Sequence, residues 1–196
     1  MTKLVVATTN PGKVREINDI LSGAGVDLVS LDEFPGLVEP EETGDTFAEN
    51  ARLKALYYAQ ATGLPCVADD SGLEVAALDN APGVHSARWQ GTDYAVKFHK
   101  IYELLQERGL ETSAARFVCH VALADQGRVR YETTGIVNGE IAPVPRGTNG
   151  FGYDPIFYYP PFKCTLAELD LERKATVSHR GQAFGALRQA ILNSEC

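Results

Sequence analysis

KLVVATTNPGKVREINDILSGAGVDLVSL, residues 3–31, is the stretch whose reading decides the fold. Lys3 to Thr8 is a short, partly β-branched apolar run that reads as a buried strand. Thr9-Asn10-Pro11-Gly12-Lys13 breaks it, with Asn10 placed as a helix N-cap and Pro11 at the first helical position. Val14, Ile17, Ile20 and Leu21 then follow a helical period, and Gly23 and Gly25 end it. Val26 to Leu31 alternates as a second strand. Strand, loop, helix and strand in that order make a βαβ-like opening.

The rest of the chain extends this pattern. Residues 32–45 are acidic and aperiodic, and read as a loop. Thr46-Phe47-Ala48-Glu49 matches a capping box and starts a helix to Thr62, stopped by Gly63-Leu64-Pro65. Cys66 to Ala68 reads as a strand running into Asp69-Asp70 and a Ser71-Gly72 turn, with another strand over Leu73 to Leu78. Residues 81–91 carry mixed turn residues. Asp93 to Arg108 reads as a helix with Val96, Ile101, Leu104 and Leu105 on its apolar side. Ala115 to Ala124 and Arg128 to Val137 alternate around Asp125-Gln126-Gly127, a hairpin whose second strand continues past Gly139. Residues 143–155 hold three prolines and three glycines, too many for a regular element and suited to close approach. A short strand over Ile156 to Tyr159 follows, then helices over Leu166 to Lys174 and Ser178 to Asn193, with Ser178 as N-cap. With no repeat, low-complexity tract or linker, the expectation is a single α/β domain over residues 1–196, built on a long mixed sheet.

Bulk properties narrow the function. The chain has 196 residues, 44% hydrophobic and 22% charged, which suits a core that needs no staples. No apolar run reaches the roughly 18–20 residues that span a bilayer, and the stretch after Met1 is too short for a secretory signal, so a cytoplasmic enzyme is expected. Cys66, Cys119, Cys164 and Cys196 are scattered without a C-x-x-C pair, and Cys66 and Cys119 read as buried thiols. The net charge of −8 argues against nucleic-acid binding but leaves a phosphorylated small molecule open.

Five constellations carry possible chemistry. Thr8, Thr9, Asn10, Pro11, Gly12 and Lys13 follow a strand and open a helix, as a phosphate site or as a capped turn with a solvated lysine. Asp69 and Asp70 are adjacent carboxylates, either solvated in a turn or compensated by a cation such as Mg²⁺. Glu41-Glu42-Thr43-Gly44 is an acidic turn before a helix that carries Lys54, and one of its glutamates can join the aspartates. Phe151, between Gly150 and Gly152 and followed by Tyr153 and Asp154, offers a ring for stacking on a base or a core aromatic beside a turn. Lys174, Ser178, His179 and Arg180 place donors near a helix start.

Taken in order, these motifs resemble the inosine/xanthosine triphosphate pyrophosphatase family, also called Ham1-like. The matching blocks are T-x-N-x-G-K at 8–13, E-E-T-G at 41–44, F-x-E-N-A-x-x-K-A at 47–55, A-D-D-S-G at 68–72, A-P-G-x-x-S-A-R at 81–88, G-F-G-Y-D-P-I-F at 150–157 and S-H-R-G-x-A at 178–183. The resemblance implies an elongated mixed sheet with helices, two lobes around a central cleft, and a homodimer. It implies Mg²⁺-dependent hydrolysis of ITP, dITP and XTP to the monophosphate and pyrophosphate. It further implies that Thr8 to Lys13 hold phosphates with Lys54, that Glu41 and Asp70 bind Mg²⁺ with Asp69 in support, and that Asp70 is the base. Ser71 becomes a substrate contact, and Phe151, Gly152, Tyr153, Asp154, Lys174, His179 and Arg180 surround base and ribose.

Hypoxanthine and xanthine carry a carbonyl at C6 where adenine has an amino group. Donors from Lys174, His179 or Arg180 aimed there would oppose adenine's own donors, and a site of that kind rejects the wrong base by about 10⁴-fold. Arg180→Ala is accordingly expected to lose base discrimination and kcat/KM together. A pyrophosphatase for a modified pyrimidine nucleotide and a nucleotide sensor without turnover are the rival readings.

Overall fold

Local chemistry accounts for the first elements of the computed structural model, which describes residues 2–194. Strand β1 spans Thr2–Val6 and helix α1 spans Pro11–Leu21, with Pro11 at its first position and the Asn10 side chain accepting from the Gly12 and Lys13 amides. Strand β2, Val26–Ser30, pairs parallel to β1, and so does β3, Cys66–Val75. Between them α2, Phe47–Thr62, opens with the reciprocal Thr46–Glu49 capping box and closes on Gly63 in the left-handed region.

The remaining elements are α3 (Tyr94–Glu107), β4 (Ala114–Asp125), β5 (Arg128–Ile141), β6 (Phe157–Tyr159), β7 (Cys164–Thr165), α4 (Leu171–Val177) and α5 (His179–Leu192). Gln126 and Gly127, both at positive φ, join β4 to β5 as a two-residue hairpin turn requires. The hydrogen-bonded strand order is β2-β1-β3-β4-β5-β6-β7, parallel among the first three and antiparallel from β5 through β7. The fold is thus α/β with a mixed sheet flanked by helices. No helix among the described residues is long and apolar enough to cross a membrane.

Two compact units emerge, each assembled from separated chain segments, and β3, β4 and β5 contribute to both. In the first unit (1–70, 119–135, 179–196), strand alternation sorts the core into two apolar layers. Val5, Ala7, Cys66, Ala68, Ala122 and Ala124 pack with Ala51, Ala55 and Tyr58 of α2. Leu4, Val6, Val67, Cys119, Val121 and Leu123 pack with Ile17 and Leu21 of α1 and Ala183, Phe184 and Leu187 of α5. This unit is therefore a helix–sheet–helix sandwich. The second unit (71–118, 136–178) has one core, in which Leu73, Ile101, Leu105, Phe117, Ile141, Ile156, Phe157 and Leu166 take part.

Several sequence expectations need correction. Asp69 to Gly72 is not a turn: β3 runs unbroken from Cys66 to Val75 and then enters a 3₁₀ turn at Ala76–Leu78. Ladder pairing outweighs the turn preference of Asp-Asp-Ser-Gly. Val96 is exposed, whereas Ile101 and Leu105 are buried. The helix expected over Leu166 to Lys174 is a 3₁₀ turn at Leu166–Glu168 followed by α4. Ser178, extended at the position just before α5, agrees with its reading as the N-cap. Cys66 and Cys119 are buried free thiols, and Cys196 lies outside the described residues.

Gly135 on β5 sets how closely α5 approaches the sheet. A Cβ there would sit 2.0 Å from the His179 carbonyl oxygen and 2.8 Å from the Ala183 nitrogen, both backbone atoms. Gly135→Ala is expected to destabilise the protein by about 3 kcal/mol or more, since strand and helix must part. Chemical denaturation reads this directly, and an unchanged midpoint would mean that α5 shifts freely.

Candidate functional site

The two-residue period of β3 sends its adjacent carboxylates to opposite faces of the sheet. Asp69 follows Val67 toward α1 and α5. Its Oδ2 accepts from Lys13 Nζ at 2.8 Å and from Arg180 Nη2 at 3.2 Å, with the Cys119 thiol at 3.7 Å. Asp70 follows Ala68 toward α2. Its Oδ2 accepts from Asn50 Nδ2 at 3.2 Å, and Lys54 Nζ lies 3.4 Å from Oδ1. Splaying the pair in this way gives each carboxylate its own cations and relieves the repulsion expected of neighbours.

The two environments set different protonation behaviour. Burial opposes the charge on Asp69, but Lys13, Arg180 and Lys54 outweigh it and hold the carboxyl well below the usual range. Burial raises the Asp70 carboxyl above its ordinary value; Lys54 and Lys13 act against this, while Glu42 and Asp69 add to the rise. Burial also works against charge on Lys54, yet Asp70, Asp69 and Glu42 together lift its pKa. Adjacent carboxylates pushed apart in this manner are the pattern that separates a fixed charge from a proton acceptor.

Glu16 and Asn50, which sequence reasoning passed over, complete this cluster together with Arg180. Arg180, only 2% exposed, donates through Nη1 to Glu16 at 2.8 Å as well as to Asp69. Glu16 sits one turn after Lys13, so a single face of α1 supplies both. Asn50, fully buried, binds the Gly44 amide at 2.8 Å and the Gly44 carbonyl at 3.3 Å, which fastens the acidic segment to α2. Glu42, not Glu41, meets Lys54, at 2.5 Å; Glu41 is exposed. Spacing was the available signal: Lys13 with Glu16 and Lys54 with Asn50 each share one helix face.

The Thr8–Lys13 segment is closed more tightly than an open phosphate loop. The Gly12 and Lys13 amides donate to Asn10 Oδ1 at 2.9 and 3.2 Å, and the Asn10 amide donates to Thr8 Oγ1 at 3.2 Å. An anion is therefore offered the Thr8 and Thr9 hydroxyls and the Lys13 ammonium. Thr9, Asn10 and Pro11 are exposed, and Ser71 is half-buried on β3 beside Asp70.

Within the second unit, Lys174 and Asp154 form a buried pair at 2.5 Å. Asp154 Oδ2 also accepts from the Phe151 amide at 2.9 Å, and Lys174 Nζ stands 4.9 Å from the Phe151 ring centre. Gly150 makes this possible, because its φ is +71° and a Cβ would lie 2.2 Å from Asp154 Oδ2. Gly152 and Phe151 are half-buried, whereas Tyr153 is buried and donates to the Ser86 carbonyl at 3.0 Å. His179 is buried at the first position of α5. The guanidinium of Arg180, expected beside base and ribose, faces Glu16 and Asp69, which makes it a partner of the carboxylates.

Fold and charge arrangement together define the class, an α/β protein with its acids and bases gathered about one strand. Residues 4–190 match the Ham1 family, and the chain belongs to that family. A dITP/XTP pyrophosphatase of Geobacter sulfurreducens is 49% identical over 193 residues, covering 97% of each chain. Another, of Thermus thermophilus, is 50% identical over 192 residues, covering 96% of this chain and 91% of the relative. The structure of a HAM1 protein from Coxiella burnetii matches with a TM-score of 0.91 at 41% identity, over 98% of this chain and 100% of that one. The Ham1 protein of Staphylococcus aureus matches at 0.87 and 37% identity, over 100% of each chain.

Proposed function

We propose that this chain is a Mg²⁺-dependent nucleoside triphosphate pyrophosphatase, a single domain that hydrolyses ITP, dITP and XTP to the monophosphate and pyrophosphate. The observation that carries the reading is the division of labour between Asp69, held ionised by Lys13 and Arg180, and Asp70, whose pKa is raised. The names of the relatives, dITP/XTP pyrophosphatase, supply the substrate class. By the same resemblance the enzyme works as a cytoplasmic homodimer that clears deaminated purines from the nucleotide pool.

The donor set suits Mg²⁺. Asp69 Oδ1 is buried without a hydrogen-bond partner, an open lone-pair site on the α1/α5 face of β3. Among the described residues no three His, Cys, Asp or Glu side chains converge on one point. Mg²⁺ takes one or two carboxylates and completes its shell with substrate phosphates and water. Asp70 and Glu41 would hold it, with Asp69 in support, and when bound it neutralises and orients the phosphates.

Asp70 then accepts a proton from the water that attacks the α-phosphorus. Lys13 and Lys54 offset the charge that develops as pyrophosphate leaves, helped by the Thr8 and Thr9 hydroxyls. Asp69 stays ionised throughout and keeps Lys13 oriented. Phe151 supplies a stacking face, while Lys174 and His179 direct donors toward the carbonyl of the base.

A turnover assay with ITP, XTP, ATP, GTP and dTTP tests the proposal, provided that pyrophosphate is resolved from orthophosphate. Fast pyrophosphate release from ITP and XTP is expected, with the others slow. Orthophosphate as the product would move the cut to the terminal phosphate. Tight ITP binding without turnover would point to a sensor instead.

A further inference from the structure

A buried lysine in the second unit has no part in the chemistry described so far. Lys97, on α3, is 0% exposed. Its ammonium donates to the carbonyl oxygens of Ser86 at 3.0 Å and Ala87 at 2.6 Å. It stands 4.3 Å from the centre of the Tyr94 ring and 5.8 Å from that of Tyr153, so two aromatic faces stabilise a cation for which these contacts supply no carboxylate. Burial pulls its pKa down from the ordinary lysine value.

The Ser86 carbonyl is shared, since Tyr153 Oη donates to it as well, at 3.0 Å. The Ser86 hydroxyl in turn accepts from the Leu73 amide on β3 at 2.9 Å and donates to the Gly83 carbonyl at 2.6 Å. Tyr94 packs edge-on against Tyr153, with ring centres 5.2 Å apart. Ser86 is thus a hub joining β3, the 83–88 turn, α3 and the loop that carries Phe151 and Asp154. Lys97 is the charged member of that hub. A side chain of similar length without a donor would leave the buried Ser86 carbonyl to Tyr153 alone and take this donor from the Ala87 carbonyl.

We propose that Lys97 is a positioning residue for the nucleobase side of the site: its ammonium clamps the 83–88 turn and, through the Ser86 carbonyl shared with Tyr153, fixes the Gly150–Asp154 loop. This rests on the pyrophosphatase reading, in which Phe151 and Lys174 meet the base. Phosphate chemistry belongs to other residues, so Lys97 governs KM and base preference and leaves kcat nearly intact.

The test compares wild type with Lys97→Met, which keeps length and apolar bulk, and Lys97→Gln, which keeps donors without charge. Lys97→Met is expected to raise KM for XTP about tenfold with little change in kcat and to narrow the XTP:ATP ratio of kcat/KM. Lys97→Gln should recover most of that loss. Tyr153→Phe, which removes the other donor to Ser86, should move KM in the same direction and carries the test if Lys97→Met does not fold. Folded variants with wild-type KM and base preference would overturn the proposal, as would a fall in kcat alone. Wild-type protein that fails to turn over XTP would instead overturn the pyrophosphatase reading, and XTP affinity measured by calorimetry would still decide the role of Lys97.

Discussion

Asp70→Asn is expected to lower kcat by about 10²–10⁴-fold, the usual contribution of a positioned general base, while raising the melting temperature. The first effect follows from removing the proton acceptor. The second follows from the direction of the Asp70 shift. Burial, with Glu42 and Asp69 adding to it, disfavours the ionised side chain despite Lys54 and Lys13, so the folded state carries a cost at neutral pH. A neutral amide of the same shape relieves that cost. The folded pKa lies above the ordinary value of 3.8, so wild-type activity should fall as pH drops through it, because a protonated Asp70 cannot accept. That acid limb should vanish from the residual activity of Asp70→Asn. Steady-state kinetics against pH together with thermal unfolding checks all three points. A lower melting temperature for the variant would show that Asp70 stabilises the fold, and its buried charge would then need another compensation.

Arg180→Met is expected to destabilise the protein by about 3–5 kcal/mol, because Glu16 and Asp69 both lose a buried cationic partner. For a chain of this size that is roughly 6–20 °C in melting temperature. Turnover should fall as well, since Asp69 keeps only Lys13 and the weak Cys119 contact on Oδ2. Adding Glu16→Gln should restore part of the stability by removing one of the stranded charges, and it should not restore activity. The pH dependence has a definite sign. The folded-state pKa of Asp69 is depressed by Lys13 and Arg180 despite burial, so the network's stabilisation is present above the unfolded value near 3.9 and is lost as pH falls below it. Urea titrations at neutral and acidic pH measure both effects. Equal stability of Arg180→Met and wild type at neutral pH would mean that the network contributes nothing. Retained stability with altered ITP:ATP preference would return Arg180 to the base contact suggested by its motif.

The sequence shows its local elements clearly and its partnerships poorly. Asn10-Pro11 as a helix start, the Thr46–Glu49 box and the Gln126-Gly127 hairpin all rest on chemistry within four residues, and each appears where the spacing places it. Asp69-Asp70-Ser71-Gly72 is a turn by composition but a strand in fact. Its place in a continuous strand between β1 and β4, where β1 pairs only as far as Val67, decides its conformation, and no local pattern contains that information. Glu41 and Glu42 are equivalent acids by sequence, yet only the packing of the 41–44 segment against Asn50 brings Glu42 to Lys54. Val96 fits the apolar period of α3 and is nevertheless exposed, since a helical period finds a face without saying how wide the buried stripe is.

By itself, then, the sequence determined the α/β class, the helix boundaries that caps impose, and membership in the Ham1 family through motifs spread along the whole chain. Those depend on residue type and short spacing. The tertiary structure decided what each charge faces: Asp69 toward Lys13 and Arg180, Asp70 toward Asn50 and Lys54, and Lys97 onto two carbonyls inside an aromatic enclosure. The physical reason is that electrostatic environment depends on distance and burial in three dimensions. Residues 111 positions apart in the chain, such as Asp69 and Arg180, meet only once the sheet and its helices have packed.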